Sequence, residues 1–121
     1  MIGEKVMFEY NEKLQCYIRT IGEMVFLCSE YKPEQDDIAQ ELSVLYPQKL
    51  TEIALFIKPE IEQFYGKEFS LDSIISNLGY PTFDVELNTL SYVNHVFDAE
   101  HIIIVEFDGR LERLLNTIID G

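Results

Sequence analysis

The chain has 121 residues, one domain's worth at roughly 150 residues per domain, and 47% of them are hydrophobic. Nine Lys and Arg stand against 22 Asp and Glu, giving a formal net charge of −13 and a pI near 4.3. The apolar content argues against intrinsic disorder. The charge nearly excludes free nucleic acid and disfavours anionic membranes, leaving basic protein surfaces and metal cations as natural partners.

The N-terminal stretch MIGEKVMFEYNEK lacks the apolar core of a signal peptide. No apolar run reaches the ~18 residues of a membrane span, so a cytoplasmic protein is expected. Val6, Phe8 and Tyr10 alternate with Lys5, Met7 and Glu9, and Asn11-Glu12-Lys13 reads as a polar turn. Leu14, Cys16 and Ile18 continue the alternation, and Gly22 opens a turn into 24–28. Three antiparallel strands therefore fit residues 4–29, with Lys5 and Lys13 placed to guard the first edge. A three-residue loop 21–23 would set Cys16 opposite Cys28, whereas a two-residue Gly22-Glu23 turn would separate them. Two reduced thiols are the expectation for a cytosolic sheet.

The period then changes from two to about 3.6. Asp36 or Asp37 is placed to cap a helix bearing Ile38, Leu42 and Leu45, and Pro47 is expected to end it. Leu50, Ile53, Ala54, Ile57, Ile61 and Phe64 form the stripe of a second helix, with a kink or break expected near Lys58 ahead of Pro59. A short third helix has Ser70 as its N-cap, the apolar face Leu71, Ile74, Ile75 and Leu78, Gly79 at its end and Pro81 beyond.

Strand-like alternation returns at Phe83, Val85 and Leu87, and a second strand is expected from Tyr92 to Phe97. After the turn Asp98-Ala99-Glu100, the run His101–Phe107 reads as a central strand buried on both faces. Asp108-Gly109 signals a hairpin. Residues 111–119 fit either a helix or a strand, and the Thr-Ile-Ile ending favours a strand. The expected fold is α+β: an N-terminal antiparallel β-meander, a central block of two or three helices, and C-terminal antiparallel strands in a sheet covered by helices.

Motifs for chemistry are missing. No glycine-rich phosphate loop follows a strand, and neither a Gly-x-Ser-x-Gly elbow nor a Cys-x-x-Cys pair occurs. The densest polar cluster holds His95, Asp98, Glu100 and His101, which offers a cation two carboxylates or two imidazoles. A polar turn between strand ends is the plainer reading of the same residues. Charge is concentrated instead: from Pro59 to Gly109, ten acidic residues face Lys67 alone. Asp84 and Glu86 are two apart, as are Glu106 and Asp108, so each pair can stand on a common sheet surface. Asp98 and Glu100 extend that surface, and Tyr80 or Tyr92 can anchor a partner among the charges.

In element order, and in the ending His101-Ile-Ile-Ile-Val-Glu-Phe-Asp-Gly109 through Ile118-Ile-Asp-Gly121, the chain resembles small acidic bacterial immunity proteins of polymorphic and contact-dependent-inhibition toxin systems. The resemblance implies a non-catalytic, stoichiometric inhibitor, without cofactor or metal, that neutralises a cognate toxin domain. A nuclease toxin has a basic groove, which an acidic inhibitor can occupy as a phosphate mimic. The alternatives are an acidic protein whose charge serves only solubility, and a small metal binder or enzyme built on the 95–101 cluster.

Overall fold

The structure, a computed structural model, describes residues 7–121. The expectations at Lys5, Val6 and the start of the first strand lie outside those residues. Three strands come first, β1 (Glu9–Asn11), β2 (Cys16–Ile21) and β3 (Met24–Cys28). The β2–β3 turn is the two-residue Gly22-Glu23 form, with Gly22 at φ 60 as its first position requires. Cys28 therefore pairs with Tyr17 while Cys16 pairs with Asn11, and both thiols are free. The register sends the two side chains to opposite faces of the sheet. Burial among apolar neighbours pushes the Cys28 thiol up to about 12.

A single 32-residue helix, α1 (Glu34–Tyr65), replaces the two expected across this segment, and both Pro47 and Pro59 lie inside it. Each proline removes a helical hydrogen bond at a cost of ~3 kcal/mol. The helix survives because its buried stripe stays in phase across both of them. Leu42, Tyr46, Ile53, Ile57 and Ile61 all face the sheet, and each such burial contributes about 1.5–3 kcal/mol. Both proline rings are on the exposed side. The helix also begins earlier than expected, with Pro33 at the N-cap position, so Glu34, Asp36 and Asp37 all sit in the first turn. There their charges complement the positive end of the helix dipole.

The next helix, α2 (Leu71–Leu78), matches its sequence signals: Ser70 accepts the N–H of Ser73, and Ile74 and Leu78 are buried. At Gly79, φ is 76, and a Cβ would come within 2.8 Å of the Asn94 carbonyl oxygen. Glycine thus serves both the helix end and the close passage of the 93–97 segment.

Four strands complete the chain: β4 (Pro81–Asp84), β5 (Thr89–Tyr92), β6 (Ile102–Asp108) and β7 (Arg113–Asp120). All seven strands form one sheet in sequence order, and every pair is antiparallel except the parallel β3–β4 pair that the helices bridge. The fold is thus α+β, a mostly antiparallel sheet with one long and one short helix. Phe26 and Phe83 stack at 5.1 Å across the parallel pair, at the centre of the core.

Three strand expectations are corrected. The fourth strand stops at Asp84, because its Oδ1 accepts the N–H groups of Glu86 and Leu87 and turns the chain. The fifth ends at Tyr92, and 93–97 leaves the sheet to bond the helix layer through Val96 N–H and the Asn77 carbonyl. The sixth is an interior strand next to the sheet edge rather than a central one, and it is buried on one face only: Ile103, Val105 and Phe107 are buried while Ile102 is 38% exposed. Residues 113–120 are a strand, reached by a turn in which Leu111 adopts φ 61 and inserts into the core.

Candidate functional site: the open sheet face

Both helices cover the same side of the sheet, so strand alternation decides which carboxylates can meet a partner. Following the register from β3 to β7, Leu27, Asp84, Thr89, Glu106 and Asn116 lie side by side. The adjacent row on this face is Val25, Thr82, Ser91, Ile104 and Ile118. Neighbouring strands are about 4.8 Å apart, so each row is a continuous ridge. None of these residues is fully buried, whereas the intervening Phe26, Phe83, Leu90 and Val105 are 0% exposed.

The four expected sheet acids divide between two jobs. Glu106 and Asp108 stand together on the open face, Glu106 accepting from Asn116 at 3.3 Å and Asp108 from Arg113 at 3.0 Å. Asp84 shares the Glu106 row but also holds the β4–β5 turn. Glu86 lies past the end of β4 and clamps the loop after β3. Its Oε1 accepts Ser29 N–H and Oγ–H at 2.8 Å, and its Oε2 accepts Glu30 N–H at 2.9 Å. The Ser29 and Glu30 backbone donors hold this carboxyl below its ordinary value.

The 95–101 cluster lies off this face, between β5 and β6. Asp98 Oδ2 accepts the Tyr65 hydroxyl at 2.5 Å and faces His101 Nδ1 at 2.8 Å, while Oδ1 accepts the N–H groups of Glu100 and His101. The Tyr65 hydroxyl is the largest influence, and together these donors hold Asp98 well below the usual carboxylate range. Tyr65 is pushed upward in turn, first by burial and then by Asp98. His95 accepts Phe97 N–H at Nδ1 and donates from Nε2 to the His101 carbonyl at 2.6 Å. Both of its ring nitrogens are therefore engaged, and Glu100 points to solvent. Among the described residues no group of three or more His, Cys, Asp or Glu is arranged to hold a metal ion. Asp98 and His101 form an oriented carboxylate–imidazole pair, and among the described residues no Ser, Thr or Cys bonds to it.

The two tyrosines part company. Tyr80 is 48% exposed, as an anchor requires. Tyr92 is 0% exposed, because its position in β5 points it at α1, where its hydroxyl meets that of Tyr46 at 2.7 Å. An exposed role for Tyr92 is thus corrected to a core role. The sequence offered no signal for the Tyr65–Asp98 or Tyr46–Tyr92 pairs, which join residues 33 and 46 positions apart. Among the described residues no helix is long and apolar enough to cross a membrane. Compared with known proteins, the chain matches no family model, no curated protein and no solved structure.

Proposed function

We propose that the chain is a non-catalytic binding protein, an immunity-type inhibitor that neutralises a basic, nuclease-type toxin domain one to one. The observation that carries this reading is the composition of the open sheet face. Glu106 and Asp108 share that face with Ile104 and Ile118, which form the row next to Glu106, and Ile118 is 37% exposed. Carboxylates next to exposed aliphatics combine electrostatic steering with desolvated anchor contacts. Asp84 extends the acidic row across β4, and Glu100 adds charge beyond the β5–β6 turn. The net charge of −13 steers a basic domain toward the molecule as a whole.

Asp98 and Glu86 have a different part in this reading. Their lone pairs are already occupied by backbone donors, so they hold the loops that frame the face. The experiment is a titration of a basic toxin domain, sought first in the reading frame next to this one, with the chain. Activity of that domain should fall linearly to zero at one equivalent of the chain. Undiminished activity at a large excess would refute the proposal.

A further inference from the structure

The exposed edge at β7 carries an inference that does not depend on the toxin reading. Strand β7 ends the sheet with eight residues, Arg113–Asp120, and no other described strand pairs with its outer side. It contains neither proline nor lysine, and its interior reads Leu-Leu-Asn-Thr-Ile-Ile. Long unguarded edges of this kind template pairing with another strand. The one irregularity, a bulge at Leu115, lies near one end and leaves Asn116 to Asp120 regular.

We propose that β7 pairs with β7 of a second copy of this chain, antiparallel about a two-fold axis at Thr117. Three observations point to a second copy rather than another strand. The charges are self-complementary: with Thr117 on the axis and Leu115 as the extra bulge residue, Arg113 of each copy lies opposite Asp120 of the other. Both side chains face the open side of the sheet, across from Asp108 and Ile102 of β6. Next, Thr117 Oγ1 is buried and has no hydrogen-bond partner among the described residues. On the axis its residue lies directly opposite the same threonine of the second copy, the Thr–Thr cross-strand pair that sheets favour. Finally, the helix side of the edge has two grooves spaced to receive the inward side chains of such a strand.

One groove of about 380 Å3 is lined by Leu55, Phe56 and Leu114 with Glu52, and Leu55 is 54% exposed. The other is lined by Phe64 and Ile119 with Glu60 and Gln63, and Phe64 is 46% exposed. The antiparallel register brings Ile119 of the second copy to the first groove and its Leu114 to the second. Residues 109–121 carry Arg110 and Arg113 against Glu112 and Asp120, a neutral segment in a strongly acidic chain.

Sedimentation velocity of the full chain, from low micromolar to several hundred micromolar, tests this. The expected result is conversion to a species of twice the 14.1 kDa chain mass. Arg113→Asp and Asp120→Arg, each at an exposed position, place like charges opposite each other twice per dimer. Each should weaken dimerisation by about tenfold, and the double variant should restore it. Circular dichroism of every variant checks that the fold is kept. Deuterium exchange should slow at the amides of 113–120 as concentration rises. A chain that stays monomeric throughout, or a dimer indifferent to both single charge reversals, would overturn the proposal.

Discussion

Glu86 shows how a surface carboxylate can hold a fold together without a salt bridge. Three donors from Ser29 and Glu30 converge on it across a sequence separation of more than 50 residues. Replacement by Gln keeps the shape and removes the charge that strengthens those bonds. Glu86→Gln should destabilise the chain by about 1–2 kcal/mol, read as a lower urea midpoint at unchanged slope. Asp98 has the same character at the other end of the sheet, and its contribution depends on pH. The folded state holds its carboxyl below the value it takes when unfolded, so as pH falls the unfolded chain gains the proton first. Stability from Asp98 is complete above the unfolded value of about 3.9 and is lost below it. The gap in urea midpoint between the wild type and Asp98→Asn should therefore be widest at neutral pH and shrink from pH 5 to pH 3 (about one unit either side of that value). A constant gap would mean that Asp98 acts by shape rather than by charge. Neither role was legible in the sequence. There, Glu86 and Asp98 were two carboxylates among 22 acidic residues, and their partners Ser29, Tyr65 and His101 are fixed only by the folded chain.

At the level of elements, local signals were reliable where punctuation and burial agree. Ser70, Gly79 and Pro81 delimit α2 as read, and the Asp108-Gly109 signal does introduce β7. The failures occur where local and tertiary preferences conflict. Pro47 and Pro59 each argue for a helix end, yet the buried stripe from Leu42 to Ile61 outweighs both. Likewise, Tyr92–Phe97 has strand propensity, but the bond from Val96 N–H to Asn77 and the burial of His95 draw it out of the sheet. A direct consequence follows at the exposed Pro59. Because its ring disrupts a continuous helix, Pro59→Ala should raise stability by about 1–2 kcal/mol, net of the entropy the unfolded chain regains. A lower thermal midpoint in that variant would show that the proline shapes the helix to the sheet instead.

Over the whole molecule, the two-layer arrangement explains why charge counts located an acidic region but not its use. A sheet covered by helices on one side must expose its other side, and the alternation along β4 to β7 assigns each carboxylate to it or away from it. Glu106 and Asp108 are on that side and accessible. Glu86 and Asp98 are committed to loops, and Tyr92 is committed to the core. On the proposed function, the open face, more than the overall charge, receives the basic domain. Stopped-flow association with a cognate basic toxin domain tests it, comparing the wild type with Glu106→Lys/Asp108→Lys and with a control, Asp37→Lys/Glu41→Lys, on the exposed side of α1. Both variants change the net charge equally. The association rate should fall about tenfold or more for the sheet variant, the α1 control should change it far less, and added salt should narrow the difference. Equal slowing by the two variants, or no complex with the wild type, would contradict it.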